Sequence, residues 1–235
     1  MKFFDLSKQY SILEKEIDGA VKKVMQDSYF IGGKEVQDFE HDMAQFCNVK
    51  YCAGMNSGTD ALFLALRALN IKEGDEVITT PFTFIATAEV IANCQAKPVF
   101  VDIDPKTFNI DPQKIEEKIT ERTKAIIPVH IFGQMADMDK IVEIANKHKL
   151  FIIEDACQAI GAQYKGKMAG SIGDISAFSF FPTKNLGACA DGGAAITNNS
   201  ELAKKIFLLK NHGSSSEDKY KHLIVGMNSR LDAIQ

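Results

Sequence analysis

Apolar residues in the first fifty positions recur at the spacing of amphipathic helices. Ile17, Val21 and Val24 fit one helix, which the pair Gly32-Gly33 interrupts. The helical spacing then returns at Val36, Phe39 and Phe46. The pattern therefore predicts an N-terminal segment made of two helices.

After residue 50, short apolar and β-branched runs alternate with helical patterns. The predicted strands are 51–55, 76–80, 98–102, 124–129, 151–154, 175–180 and 194–197. The predicted helices between them are 59–69, 86–94, 112–119 and 138–148. Strands that are apolar throughout are typical of parallel sheets covered on both faces. The sequence therefore predicts an α/β fold with a parallel sheet between two layers of helices.

Composition and charge narrow the classes of function. Of the 235 residues, 46% are hydrophobic and 25% are charged, which is typical of a globular domain. The formal net charge of −4, without a dense Lys/Arg stretch, argues against binding to nucleic acid or to a membrane surface. No apolar run approaches the ~20 residues that a bilayer-spanning helix needs.

The cysteines Cys47, Cys52, Cys94, Cys157 and Cys189 are odd in number and form no C-x-x-C pair. They predict neither a disulfide framework nor a zinc site, and we expect no other metal site. The N-terminus lacks the apolar core of a secretion signal. A reducing, cytoplasmic setting is therefore expected.

The turn after the first predicted strand is a candidate anion site. Asn56-Ser57-Gly58-Thr59 opens a helix, where free backbone N–H groups and the helix dipole favour phosphate. An ordinary helix cap explains the same residues more simply. The sequence contains neither the dinucleotide-binding nor the P-loop fingerprint.

Three other strand ends carry side chains suited to chemistry. Phe82 or Phe84 can stack on a flat ligand, although core packing is the commoner role of such residues. Asp155 leaves an apolar strand and needs a partner, which a protonated ring nitrogen, a helix N-terminus or an arginine would provide. Lys184 follows another apolar strand, where loss of hydration favours a nucleophilic amine. Together these residues indicate a flat, anionic cofactor without naming it.

Four ordered segments carry a resemblance to a known family. They are 56–62 (NSGTDAL), 154–159 (EDACQA), 179–187 (SFFPTKNLG) and 226–232 (GMNSRLD). They resemble the motifs of DegT-like nucleotide-sugar aminotransferases, fold-type I enzymes that use pyridoxal 5′-phosphate (PLP). The chain most resembles enzymes that aminate 3-keto UDP-sugars, such as the 3-oxo-glucuronate aminotransferases. The resemblance implies a three-layer α/β/α large domain with a mostly parallel, seven-stranded sheet.

The resemblance also implies roles for residues around the cofactor ring. Lys184 would bind PLP covalently and move protons, and Asp155 would pair with the pyridine nitrogen. These two are the predicted catalytic residues. Phe84, rather than Phe82, would stack on the ring, and Gln158 would hydrogen-bond its phenolic oxygen.

A second group would hold the anionic parts of cofactor and substrate. Gly58, Thr59 and Ser179 would bind the phosphate of PLP, together with Asn228 from a neighbouring subunit. Arg230 would meet the anionic sugar nucleotide. The family pattern implies a homodimer with shared active sites.

The expected reaction moves an amino group from L-glutamate to a keto-sugar nucleotide. A 3-keto, UDP- or dTDP-linked sugar is expected, in amino-sugar biosynthesis for surface polysaccharide or a related glycan. Family members continue past Gln235 into a small C-terminal domain. Residues 1–235 are therefore expected to be the PLP-binding large domain with its N-terminal helical segment. Residues 231–235 have the pattern of a first helical turn, which we interpret as truncation; simple fraying is the alternative.

The chain departs from the family pattern at three positions. Cys157 and Ile160 stand where many members carry Ala and His, and Ala190 stands where Gly is common. Two other functions compete with transamination. A related sugar dehydratase replaces the lysine with histidine, so Lys184 argues against it. A PLP-binding regulatory or assembly module without turnover is the other alternative.

Overall fold

The computed structural model describes residues 5–215 and 218–235. The expectation about a secretion signal concerns, in part, residues 1–4, which lie outside these ranges. The helices in the described ranges are α1 (Leu6–Asp27), α2 (Lys34–Phe46), α3 (Gly58–Ala68), α4 (Ala86–Asn93), α5 (Met138–His148) and α6 (Ser200–Leu209). The strands are β1 (Tyr51–Met55), β2 (Glu76–Thr79), β3 (Lys97–Phe100), β4 (Thr123–Ile126), β5 (Phe151–Asp155), β6 (Gln163–Tyr164), β7 (Lys167–Met168), β8 (Ile175–Ser179) and β9 (Gly193–Thr197).

Seven strands form one sheet, in the order β1-β9-β8-β5-β4-β2-β3. Every neighbouring pair from β8 to β3 is parallel, whereas β9 runs antiparallel to both β1 and β8. Strands β6 and β7 form a separate small hairpin. The prediction of a mostly parallel, seven-stranded sheet is confirmed.

Each face of the sheet has its own hydrophobic core. Successive strand residues point to opposite faces, so Ile152 joins one core and its neighbour Ile153 the other. Helices α3, α4 and α6 pack on the face of Ile153. Helices α2 and α5 pack on the face of Ile152. The domain therefore has the three α/β/α layers that the sequence predicted.

The two predicted N-terminal helices are present as α1 and α2. Helix α1 buries only Val24 among its described residues. None of the helices in the described ranges combines the length and the apolar character needed to cross a membrane.

Two predicted helical segments take other forms. Residues 112–119 form two 3-10 turns, Pro112–Lys114 and Glu116–Lys118, instead of an α-helix. Within this short segment only Ile115 is fully buried. The segment therefore lacks the continuous apolar stripe through which packing against the core would stabilise an α-helix. The expected helix start at 231–235 is a single turn. In this turn Asp232 Oδ1 accepts a hydrogen bond from the Ile234 N–H at 3.0 Å.

Candidate active site

A cavity of about 430 Å³ lies at the carboxyl ends of the central strands. In α/β sheets this edge is where ligands bind. The lining includes seven of the nine predicted site residues: Gly58, Thr59, Phe84, Asp155, Gln158, Ser179 and Lys184. They come from the turns after β1, β2, β5 and β8, so distant parts of the sequence meet in one place.

One end of the cavity is formed by the start of α3. Ser57 caps this helix, because its Oγ accepts from the Asp60 N–H at 3.0 Å and its carbonyl accepts from the Ala61 N–H at 3.1 Å. The first N–H groups of the helix, those of Gly58 and Thr59, have no acceptor within the helix. They give this end of the cavity a partial positive charge that suits an anion.

Close packing at this turn requires glycine. A Cβ on Gly58 would lie 2.7 Å from Ser179 Cβ and 2.9 Å from Cys157 Sγ. A Cβ on Gly193 would lie 2.3 Å from the carbonyl carbon of Ser57, so β9 passes directly behind the turn. Ser179 Oγ accepts from the Phe181 N–H at 3.3 Å. The Ser179 hydroxyl therefore keeps its proton for donation to an anion.

A buried carboxylate lies elsewhere in the cavity wall. Asp155 is 6% exposed, and its Oδ2 accepts from Thr87 Oγ1 at 2.8 Å. Its Oδ1 accepts from the Cys157 N–H at 3.3 Å. A carboxylate has about four acceptor positions, so Asp155 retains capacity for a cationic donor in the cavity.

The Cys157 thiol is beside this carboxylate. Burial raises the pKa of Cys157, and the charge of Asp155 raises it further, while Lys184 opposes both effects. The thiol therefore remains protonated near neutral pH and is not a nucleophile there. Cys157 stands where many members of the resembled family carry alanine, and in the structure it forms an uncharged part of the cavity wall.

Lys184 lies on a tight turn that returns to the sheet. Its N–H donates to the Phe181 carbonyl at 2.8 Å, and the Ala188 N–H donates to the Phe180 carbonyl at 2.7 Å. A Cβ on Gly187 would lie 2.4 Å from the Pro182 carbonyl oxygen, so glycine is required for this turn. The lysine is half-buried and lines the same cavity as Asp155.

Sequence reasoning missed two hydroxyl residues of this site. Thr83 and Thr87 both line the cavity, and their Oγ1 atoms are 2.8 Å apart. Thr83 precedes α4 and Thr87 lies in its first turn, so the signal was a pair of hydroxyl residues around a helix start that follows a strand end. The aromatic Phe84 between them is 69% exposed, which fits a ring that covers a ligand better than a core residue.

Two predicted site residues, Asn228 and Arg230, are absent from the described lining of this cavity. Asn228 is exposed, whereas Arg230 Nη1 donates to Asn211 Oδ1 at 3.0 Å in a separate groove. Between them, Ser229 Oγ donates to Asp60 Oδ2 at 2.7 Å. The segment is therefore fixed to α3, and contact of Asn228 with a neighbouring subunit stays a prediction.

Comparison with known proteins identifies the family. Residues 11–235 match the model of the DegT/DnrJ/EryC1/StrS aminotransferase family. The chain belongs to this family. The predicted resemblance to DegT-like enzymes is confirmed.

Relatives in the DegT/DnrJ/EryC1/StrS family are similar over almost the whole chain. The pleiotropic regulatory protein of Geobacillus stearothermophilus is 54% identical over 98% of this chain and 62% of its own length. The UDP-2-acetamido-2-deoxy-3-oxo-D-glucuronate aminotransferase of Pseudomonas aeruginosa is 47% identical over 100% of this chain and 65% of its own length. The chain thus spans less than two thirds of the length of these relatives.

A solved structure supports the same family fold. S. venezuelae DesV, determined in complex with a ketimine intermediate, has a TM-score of 0.96 and 44% sequence identity. The match covers 100% of this chain and 62% of that one. The DegT/DnrJ/EryC1/StrS chain described here therefore has the fold of a PLP aminotransferase large domain.

Proposed function

We propose that this chain contains the PLP-binding large domain of a cytoplasmic aminotransferase. The enzyme transfers an amino group from L-glutamate to a keto-sugar nucleotide. One observation carries the proposal: Lys184 and Asp155 line the same cavity, whose far wall is the start of α3 at Gly58. Family membership supports the reaction class.

The residues of the cavity fit PLP. Its phosphate suits the N–H groups of Gly58 and Thr59 and the free proton of Ser179, while its ring nitrogen suits the Asp155 carboxylate. Because Gly58 has no Cβ, Ser179 can lie directly against the turn whose N–H groups suit the phosphate. These features come from separate segments, so their agreement on one cofactor supports the proposal.

The side chains have separable roles in the reaction. Bound PLP supplies an electron sink for the carbon that gives up or receives the amino group. Asp155 holds a fixed negative charge at the ring nitrogen. Lys184 Nζ would hold PLP and would carry the proton that leaves the donor carbon and is returned at another position. Gln158 donates to the phenolic oxygen, and Phe84 covers the ring and excludes water.

The proposed acceptor is a 3-keto sugar nucleotide, linked to UDP or dTDP. The name of the Pseudomonas aeruginosa relative, a 3-oxo-glucuronate aminotransferase acting on a UDP-sugar, supports this class. The product would be an amino sugar for surface polysaccharide or a related glycan. Arg230 is proposed to meet the anionic part of this substrate.

A homodimer with shared active sites is part of the proposal. Asn228 would bind the PLP phosphate of the partner, which is compatible with its exposure on a segment fixed to α3. An exposed aromatic patch, formed by Phe82, Phe108 and Phe132 with ring centroids 5.5–6.0 Å apart, also supports association. Exposed apolar patches of this kind mark interaction surfaces.

The test uses the holo-protein and its visible absorption band. Adding L-glutamate should bleach the band, and a 3-keto UDP- or dTDP-sugar should restore it with formation of the amino sugar. The screen includes 4-keto sugar nucleotides, pyruvate and oxaloacetate as competing acceptors. Ready amination of pyruvate or oxaloacetate, with no reaction of any sugar nucleotide, would show the substrate class to be wrong.

A regulatory module is the second candidate, because the Geobacillus stearothermophilus relative is named a pleiotropic regulatory protein. The same experiment distinguishes it from an enzyme. A module would bind PLP and show the visible band, but L-glutamate would leave the band unchanged. If L-glutamate bleaches the band, the protein carries out the first half of transamination and is not a module without turnover.

A further inference from the structure

Three oxygen-bearing side chains form a continuous hydrogen-bonded chain beneath the cavity. Thr83 Oγ1 lies 2.8 Å from Thr87 Oγ1, and Thr87 Oγ1 lies 2.8 Å from Asp155 Oδ2. Thr87 is 1% exposed, and Asp155 is 6% exposed. This hydrogen-bonded chain connects Thr87 at the start of α4 to Asp155 at the end of β5, 68 residues apart in sequence.

The direction of donation along these hydrogen bonds follows from the number of hydroxyl protons. An ionised carboxylate only accepts, so Thr87 donates its single hydroxyl proton to Asp155. Thr87 Oγ1 must then accept from Thr83, which spends its own proton in that bond. Both threonine protons therefore point toward Asp155, and Thr83 presents only lone pairs to the cavity.

The hydrogen-bonded side chains also join the segment that carries Phe84 to the carboxylate of Asp155. Phe84 lies between Thr83 and Thr87 in sequence, at the point where α4 begins. No side chain caps this helix start. The hydroxyl chain thus ties the segment that carries the exposed ring of Phe84 to the carboxylate on the sheet.

We propose that Thr87 is a positioning residue that fixes the rotamer of Asp155 and, through Thr83, the height of Phe84 above the cavity. The inference rests on the proposed function, since it concerns how this cavity orients PLP. Charge-assisted bonds are stronger than neutral ones, and burial keeps water from replacing the lost donor. Removing the Thr87 hydroxyl therefore loosens both residues that would hold the ring.

The test compares Thr87→Val with wild type, Thr87→Ser and a matched control, Thr79→Val. Valine keeps the shape of threonine and removes only the hydroxyl. Thr79 is 0% exposed, but its hydroxyl donates to the Ile127 carbonyl, at 2.9 Å, instead of to Asp155. The measurements are the dissociation constant of PLP, the visible circular dichroism per bound PLP, and the melting temperature of each protein without PLP.

We expect Thr87→Val to weaken PLP binding about tenfold, the loss expected for one charge-assisted hydrogen bond. Its circular dichroism per bound PLP should fall, because the ring is held less rigidly. Thr87→Ser should restore both values. Thr79→Val should lower the melting temperature and leave both cofactor measurements near wild type.

Several outcomes would overturn the inference. They are a Thr87→Val protein that matches wild type in both cofactor measurements, a Thr79→Val protein with an equal effect, and a Thr87→Ser protein that does not restore binding. In each case wild type still binds PLP, so the proposed function stands. Failure of wild type to form the visible band would instead overturn the proposed function, and this inference with it.

Discussion

The neighbouring carboxylates of Glu154 and Asp155 lie on opposite faces of the sheet. Asp155 lines the cavity, where Thr87 donates to it at 2.8 Å. Glu154 is 0% exposed and accepts from the N–H groups of Gly170 and Gly173 at 2.9 and 2.6 Å. Two successive residues of β5 therefore carry a cavity-facing carboxylate and a structural carboxylate, as the alternation of strand residues requires.

Glu154 organises a loop through a set of donors. The Ala136 N–H donates to Nδ1 of His130 at 3.2 Å, so the other ring nitrogen carries the proton that reaches Glu154 at 3.1 Å. Burial by itself would raise the pKa of Glu154. The bonds from His130, Gly173 and Gly170 outweigh burial and hold that pKa below its usual range.

Glu154→Gln should destabilise the fold by about 1–3 kcal/mol at neutral pH, because the amide turns an N–H group toward buried donors and leaves at least one of them unsatisfied. Denaturant unfolding would measure the loss. Glu143→Gln, on the exposed side of α5, is the matched control and should stay within about 0.5 kcal/mol of wild type. Equal stability of the two variants would contradict the structural role of Glu154.

The same residue sets a pH dependence of stability. A carboxylate whose folded pKa is depressed contributes stability above its unfolded pKa, and that contribution is lost as the pH falls through the folded value. The melting temperature of wild type should therefore fall toward that of Glu154→Gln on acidification. A constant difference between the two proteins down to the acid transition would contradict this linkage.

Borohydride reduction of the holo-protein should place the pyridoxyl group on Lys184. Lys184→Ala should abolish the visible band while leaving the fold intact, because the lysine is half-buried and its side chain lines the cavity rather than the core. Lys165→Ala is the control: Lys165 pairs with Asp139 beside a different cavity and should be dispensable. Peptide mapping that finds the label on Lys165 or Lys167 would overturn the site.

Gly58→Ala should weaken PLP binding more than tenfold, because the added Cβ would lie 2.7 Å from Ser179 Cβ and push apart the cavity walls at the start of α3, the proposed phosphate site. Gly19→Ala is the control within the same protein. It lies inside α1 with nothing within 4 Å of the added Cβ, and it should stabilise the helix by about 0.5–1 kcal/mol. Unchanged PLP affinity in Gly58→Ala would remove the turn from the site.

The strong periodic signals of the sequence were sufficient for the sheet and for most helices. The apolar run 151–154 is typical of a buried strand, and 138–148 has the one-sided apolar stripe of an amphipathic helix, so few other assignments fit these segments. Helix α6 was missed, although Asn199 caps it by accepting from the N–H groups of Glu201 and Leu202. Asparagine is a common helix N-cap, so the sequence does contain a signal for the start of this helix.

The predicted sheet indicates which site residues lie together, but it does not predict the hydrogen bonds and close contacts that support them. Ends of parallel strands meet at one edge, so residues as far apart as Gly58 and Lys184 could be assigned to one cavity. The bond from Thr87 to Asp155 joins a helix start to a strand end, and no local pattern encodes such a pairing. The need for glycine at Gly193 likewise became visible only when β9 was seen behind Ser57.

The shared-site model makes a prediction about mixed dimers. Asn228 is exposed and outside the described lining of its own cavity, so its proposed target is the partner's phosphate. Asn228→Asp should weaken PLP binding by placing a negative charge against that phosphate. Lys184→Ala should lack the visible band altogether. Each variant alone should therefore show little band at limiting PLP.

Co-expression of the two variants with different tags should restore the band. In a mixed dimer, the subunit that keeps Lys184 receives an intact Asn228 from its partner, so one of the two sites is complete. Random pairing makes half of the dimers mixed, and about a quarter of all sites should then bind PLP with wild-type affinity. Purification through both tags raises that share to about half. Mixed dimers, verified by sedimentation, that show no restored band would mean that Asn228 does not act across the interface.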